Sequence, residues 1–372
     1  MSSNFTKYTI WQNAKKINPL FPEGRSLPGG PCVFRAVCYN TSVITRGGGP
    51  PEGRGWDLES FLVALGVVFP MLVMMSSGVV LRKTGLADRQ LVRRVDAINF
   101  RLFLPCLLFY NIYNVDLDQD LSAGPLAFAA AGLALSLGLA LLIVPRLVRR
   151  RERVGVVVQA IVRSNFVMFG LAVTEYIYGE GNAGVAALLS AVVVPAMNII
   201  AVLLLEYWRP EGSGHVSPWK LAAGIAKNPL IVASVLALAF LLLGLRLPEM
   251  VTDVIATMSR VATPLAFTML GATLSLEGLH RNRKILTGTC LARMVLLPAV
   301  FLTAAVALGF RGVELAALMV FFAAPTAVSS FTMAQQMGAD GDLAAQVVAV
   351  TSGMSLGTIF LITFLFQSLG LL

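Results

Sequence analysis

From residue 57 onward the chain is a succession of apolar runs separated by short polar connections. Each run approaches the roughly 20 residues that a helix needs to cross a bilayer. The pattern predicts ten membrane-spanning helices, at 58–81, 91–113, 124–145, 154–178, 184–208, 219–243, 249–275, 284–308, 313–337 and 343–369. The second and fourth are the least apolar, because Arg93, Arg94, Asp96, Arg101, Arg163 and Glu175 fall within them. No connection is long enough for a soluble domain, so the expected class is an all-α polytopic membrane protein. Residues 1–56 differ: they are rich in Pro, Gly and Arg, as in Pro28-Gly-Gly-Pro31 and Arg46-Gly-Gly-Gly-Pro-Pro51. They lack the apolar core of a secretory signal and are read as a disordered tail or an over-extended start.

Composition agrees with the pattern. Hydrophobic residues make up 56% of the chain and charged residues 13%, with a mean hydropathy of +0.76. A soluble domain carries about 25% charged residues, and half that density cannot cover a soluble particle of this size. This argues against a soluble enzyme or a nucleic-acid binder, and the hydrophobicity excludes a disordered chain. The net charge is +9, of which the tail supplies a large share through seven Lys/Arg against two Asp/Glu. The rest marks topology. Arg82, Lys83 and Arg89 follow the first span, Arg146, Arg149, Arg150, Arg151 and Arg153 the third, Arg209 and Lys220 the fifth, and Arg281, Arg283 and Lys284 the seventh. The opposite loops offer Arg246 and Arg311 and carry Asp116, Asp118, Asp120 and Glu180. Basic loops stay cytoplasmic, so both termini are expected outside a multi-pass cell-membrane protein. The basic tail runs against this sign, and the last connection is anomalous, with Asp340 and Asp342 and no basic residue.

Ten spans invite a search for duplication. Pro70 and Pro229 lie 159 residues apart, as do Pro105 and Pro264, and at the same lag Phe166 meets Pro325. The implied division is a first membrane repeat at 57–208, a cytoplasmic linker at 209–218 and a second repeat at 219–372. Two halves of five helices must insert with opposite orientation, the logic of inverted-repeat transporters. Polar and small residues then recur at mid-depth in the fourth span of each half: Arg163-Ser-Asn165 to Gly170 and Glu175 in one, Pro325-Thr-Ala-Val-Ser-Ser330 to Gln335 and Gln336 in the other. A mid-span proline frees a carbonyl, which in lipid must find a partner or line a wet cavity. Half-helix N-termini attract anions through their free N–H groups and dipoles. Paired breaks therefore suit a carboxylate substrate.

Each residue also has a plainer reading. Pro325 can simply kink its span, and Asn165 can make an interhelical hydrogen bond. Glu175 is a proton-carrying candidate or a carboxylate near the outer surface. Arg163 either binds a substrate carboxylate bidentately or anchors the span at the lipid surface. Arg293 is expected to be buried, with no evident partner. Asp96 and Arg101 suit an amphipathic helix start. Asn198, Gln335 and Gln336 are candidate pocket donors, His215 and His280 are loop residues, and Ser329 and Ser330 are placed to contact substrate or freed backbone groups. Cys106 and Cys290 lie in apolar runs, and Cys32 and Cys38 have no second pair to complete a zinc site. No metal or cofactor is expected. Motifs for zinc hydrolysis, phosphate cradling and nucleophilic serine are absent.

The chain resembles the auxin efflux carrier family, including its bacterial malonate and malate permeases. The resemblance runs from about residue 58 to the end, on Leu104-Pro-Cys-Leu-Leu-Phe109, Arg163-Ser-Asn165 with Gly170-Leu, Pro195-Ala-Met-Asn198, Asn228-Pro-Leu230, Thr263-Pro-Leu with Gly271-Ala, Arg293 with Pro298, and Pro325-Thr-Ala with Gly338-Ala-Asp340. It implies two inverted five-helix repeats, interrupted helices 4 and 9 that cross at mid-membrane, a scaffold of helices 1, 2, 6 and 7, and an elevator-like mobile domain. Asn165 matches the family's crossover asparagine and Pro325 its crossover proline. Where the family often has Gly and Pro after the asparagine, this chain has Val167 and Ala172, which predicts a softer break in helix 4.

The expectation is a secondary transporter of small organic anions, mono- or dicarboxylates, driven by the substrate gradient, the membrane potential or coupled H+ or Na+. The substrate residues expected are Asn165, Pro325, Ser164, Gly170, Ser329 and Asn198, with Glu175 for the proton. The lipid bilayer is the partner surface, and two copies pairing through the scaffold are allowed. Rivals are a sodium-coupled carrier resembling bile-acid carriers, a membrane receptor without flux, and a channel.

Overall fold

The computed structural model describes residues 56–114, 123–178, 184–209 and 226–372. The tail up to residue 55, the loop carboxylates Asp116, Asp118, Asp120 and Glu180, His215, Lys220 and the linker beyond Arg209 lie outside the described residues. Among the described residues the fold is all-helical, with one isolated β-bridge and no strand. In chain order the helices are α1 (Trp56–Lys83), α2 (Arg89–Tyr113), α3 (Ala123–Leu147), α4 (Arg151–Val162), α5 (Phe166–Tyr178), α6 (Gly184–Tyr207), α7 (Pro229–Leu242) and α8 (Glu249–Thr273). There follow α9 (Leu276–Arg281), α10 (Arg283–Ala307), α11 (Gly312–Ala323), α12 (Ser329–Gln336) and α13 (Gly341–Ser368). Six of them are long and apolar enough to cross a membrane: α2, α3, α6, α8, α10 and α13.

Local chemistry sets several boundaries. Asp88 caps α2 by accepting from the Leu91 amide at 2.6 Å. Asn228 does the same for α7 with Leu230 at 3.0 Å, and Pro229 at the first helical position has no N–H to leave bare. Two prolines sit just past π turns, Pro105 after Asn99–Phe103 in α2 and Pro298 after Ala292–Leu296 in α10. A π turn reroutes the backbone bonds that proline interrupts, so both helices continue through. Each turn carries a buried polar residue inward, Asn99 in one and Arg293 in the other.

α1, α2, α7 and α8 pack on one another. α1 and α8 meet at two glycines: a Cβ on Gly78 would stand 1.9 Å from the Thr268 carbonyl oxygen, and one on Gly271 1.9 Å from that of Met75. Without a strong hydrophobic force between helices in lipid, such close backbone approach supplies the packing energy. α2 joins α7 through Phe109, whose ring lies 5.5 Å from Tyr113 and 5.8 Å from Phe240. The Tyr113 hydroxyl also accepts from the Leu247 amide at 2.8 Å. The remaining long helices surround α11, which is buried along its length, and α13 touches both groups.

The described geometry treats the proline pairs unequally. Pro70 is inside α1 while Pro229 starts α7, so this pair occupies unlike positions. Phe166 and Pro325 both sit at helix interruptions. The anomalous acidic turn is also accounted for. Asp340 caps α13 through the Leu343 amide at 2.9 Å and pairs with Arg153, at the start of α4, at 2.7 Å. It thus takes its positive partner from the most basic loop of the chain.

Because the atoms opposing Gly271 are backbone and cannot rotate away, Gly271→Val is expected to cost about 3 kcal/mol or more. The thermal unfolding midpoint of detergent-purified protein checks this, and an unchanged midpoint would contradict the close α1–α8 approach.

Candidate functional site

Two helix interruptions face each other. α4 ends at Val162, and Arg163 is extended, with φ −86° and ψ 111°. α11 ends at Ala323, and Ala324 is extended, with φ −63° and ψ 150°. The second break follows from Pro325, which lacks an N–H and pushes the preceding residue out of the helical region. The first has no proline. Its backbone is held by the second: the Asn165 amide donates to the Pro325 carbonyl at 2.8 Å, and the Ala327 amide donates to the Arg163 carbonyl at 3.3 Å. The two segments form an antiparallel bridge centred on Ser164 and Thr326. Val167 and Ala172 both fall inside α5, which begins at Phe166.

The C-terminal ends of the half-helices are closed by Arg293. Its guanidinium donates to the Ala324 carbonyl at 2.6 and 3.0 Å, to that of Phe321 at 3.4 Å and to that of Ile161 at 3.2 Å. Phe321 is the carbonyl that Pro325 leaves without an amide, four residues on. A cation at two helix C-termini also suits their dipoles. Thr326 adds a side-chain bond to the Ala160 carbonyl at 2.8 Å, and its amide donates to the Thr351 hydroxyl at 3.3 Å. Every contact of Arg293 is to main chain, which is why no partner was visible in the sequence.

The other side of the crossing is polar and unsatisfied. Arg163 is 5% exposed. It donates to the Asn198 side-chain oxygen and to the Met333 sulfur, and has no carboxylate partner among the described residues. Burial removes the lipid-anchor reading of Arg163. Around it, Ser164 Oγ, Gln159 Oε1, Asn198 Nδ2 and Ser330 Oγ are buried with no hydrogen-bond partner among the described residues. Buried polar atoms are usually paired, so a cluster of bare ones around an unneutralised guanidinium marks a place where water or ligand atoms belong. The Gln159 amide ties the cluster together by donating to the Ser330 carbonyl at 3.2 Å.

The structure brings Ser164, Asn165, Asn198 and Pro325 to one place. Gly170 is nearby in sequence but packs: a Cβ there would lie 2.8 Å from the Phe166 ring, which in turn meets Phe321 edge-on at 5.6 Å. Ser329 is half-buried at the start of α12, and the enclosed serine is its neighbour Ser330. Gln335 and Gln336 lie at the far end of α12, away from the crossing. Glu175 is in α5, and its side chain lies outside the described residues. Sequence reasoning missed Gln159 and Thr326. The only signal was a lone amide and a lone hydroxyl in apolar runs.

The family model described as membrane transport protein matches residues 63–363 of this chain. No curated protein matches it.

Replacing Arg293 with Met keeps the bulk and strands three buried carbonyls. The expected cost is about 3–5 kcal/mol, read as a lower thermal unfolding midpoint. Arg293→Lys, which keeps the charge and loses the fork, is expected to fall between. A methionine variant as stable as the wild type would contradict the capping role.

Proposed function

Starting from the fact that the chain belongs to the membrane transport protein family, that of the auxin efflux carriers, we propose that it is a secondary carrier of small organic anions across the cell membrane. The family is one of transporters and not of enzymes, so a transported solute is implied. The finer reading is a mono- or dicarboxylate moved by elevator-like alternating access, within ten spans arranged as two inverted five-helix repeats. In it α4 with α5 and α11 with α12 are single interrupted spans. The group α1, α2, α7 and α8 is the scaffold, through which two copies can pair, and the remaining helices move against it. Both termini face outward, and H+ or Na+ is the candidate coupling ion.

The observation that carries this reading is the buried Arg163 guanidinium, without a carboxylate partner among the described residues, among four bare polar atoms at the meeting of two helix breaks. A substrate carboxylate supplies the missing negative charge and accepts from Asn198 Nδ2, Ser164 Oγ and Ser330 Oγ. The N-termini of α5 and α12 add favourable dipoles. Asn165 hydrogen-bonds the substrate through its side-chain amide, and its backbone amide holds the first of these ends to Pro325. A small anion fits because every donor lies within one crossing, and the surrounding side chains Phe166, Phe321 and Phe331 are apolar and buried.

Uptake of labelled carboxylates into proteoliposomes, with pH and sodium gradients imposed separately, tests the proposal. Asn165→Ala is expected to lower uptake at least about tenfold, the size of a lost buried hydrogen bond, at unchanged abundance in the membrane. Full uptake by that variant would remove Asn165 from the site. If Glu175 carries the proton, Glu175→Gln flattens the pH profile of uptake, and an unaltered profile refutes that role. Sodium-dependent uptake would favour the sodium-coupled rival, and binding without counterflow the receptor.

A further inference from the structure

A second unsatisfied cluster lies away from the crossing, where the first half of α2 packs on α8 and α12. Asp96 is fully buried. The Thr332 hydroxyl of α12 donates to its Oδ1 at 2.7 Å, and its Oδ2 has no partner. One turn further along, buried Asn99 donates through Nδ2 to the Ala262 carbonyl of α8 at 3.1 Å, while its Oδ1 also has no partner. Residues three apart on a helix share a face, so two bare acceptor oxygens belong to one buried face of α2. Asn99 opens the π turn of α2, a distortion that recurs at functional sites. Gln336 closes the α12 side, its amide donating to the Arg93 carbonyl at 3.2 Å.

No positive charge accompanies this carboxylate inward. On α2, Arg89, Arg93, Arg94 and Arg101 are exposed. On α8, Glu249, Asp253 and Arg260 are exposed, and α12 carries no charged residue. The ion pairs among the described residues are Arg153 with Asp340 and Arg209 with Glu206. A bare carboxylate and a bare amide oxygen on one buried helix face are strongly unfavourable. One cation removes both defects at once.

We propose that Asp96 and Asn99 form a binding site for one small monovalent cation, a proton or Na+, held between α2 and α12. A proton taken from water forms an O–H bond on Asp96 Oδ2, which then donates to Asn99 Oδ1. Na+ instead draws ligands from both oxygens and from the Thr332 hydroxyl. Arg93, one turn nearer the helix start, lines a cavity of about 330 Å³ with Arg82, Asp88, Arg89, Gln335 and Asp342. The site stands on its own geometry; its use as the coupling ion's seat rests on the transport reading above.

Thermal unfolding of purified protein in Na+ or in choline at equal ionic strength, together with infrared spectra in Na+-free buffer, tests the site without any flux. If Na+ is the occupant, it raises the wild-type midpoint by about 3–6 °C and leaves Asp96→Asn unmoved. If the occupant is a proton, Na+ does nothing, and the wild type shows a protonated-carboxyl stretch that Asp96→Asn removes and Asp96→Glu displaces. The glutamate variant keeps the test open should the asparagine variant fail to fold. A wild type with neither the sodium response nor that band overturns the proposal. Absence of carboxylate uptake would sink the transport reading and leave this result standing.

Discussion

Lipid offers no hydrogen bonds, so a helix that breaks inside a membrane must have its freed main-chain groups met by other protein groups. The centre of this molecule is built on that constraint. Two interruptions in separate helices supply each other's partners through a short antiparallel bridge at Ser164 and Thr326. Neither break is stable alone: the Arg163 carbonyl and the Asn165 amide have no helical partner, and Pro325 removes one more. Joined, they leave a small set of groups over, and these are distributed with opposite roles on the two sides of the crossing.

On one side Arg293 saturates the leftover carbonyls and leaves nothing for a ligand to do. On the other, Arg163 is only partly occupied, by Asn198 and a sulfur, and is ringed by bare hydroxyl and amide atoms. Both arginines are buried, and the difference between them lies in what surrounds the charge. Main-chain carbonyl dipoles neutralise the first, which makes it structural. The second lacks a compensating anion, and this makes it the place to seek one. Membership of a membrane transport family makes that guanidinium a candidate for a solute's charge, since a group bonded only to Asn198 and a sulfur is one a carrier could load and unload.

Much of this was legible in the primary structure, for physical reasons. Polar residues in a lipid-facing run are costly, so Ser164, Asn165 and Asn198 stood out against their neighbours, and Pro325 announced its own break. The first break did not announce itself. Its cause is a strand of main chain more than 150 residues away, and local propensity is silent about that. Arg163 was undecided between lipid surface and interior because depth along a span is uncertain by a turn. Arg293 hid its role by binding backbone carbonyls, which every residue has. Asp96 suited an amphipathic helix start, and the structure puts it on the buried face of that start: its carboxylate is fully enclosed and meets Thr332, 236 positions distant. Gly170 was chosen by family pattern and Ser329 by its place just after Pro325. The geometry gives Gly170 a packing role and turns Ser330 inward in place of its neighbour.

The central claim is the contact between the two breaks, and cysteine cross-linking measures it directly. Ser164 and Thr326 are a pair flanked by, and not sharing, the bridging hydrogen bonds, which places their Cα atoms about 4.5 Å apart and within disulfide range. With Cys32, Cys38, Cys106 and Cys290 replaced by alanine, Ser164→Cys combined with Thr326→Cys should form an intramolecular disulfide under a membrane-permeant oxidant. Peptide mass spectrometry would find the two segments linked. Recovery of both thiols fully alkylated after oxidation, in folded protein, would mean that the interruptions do not meet.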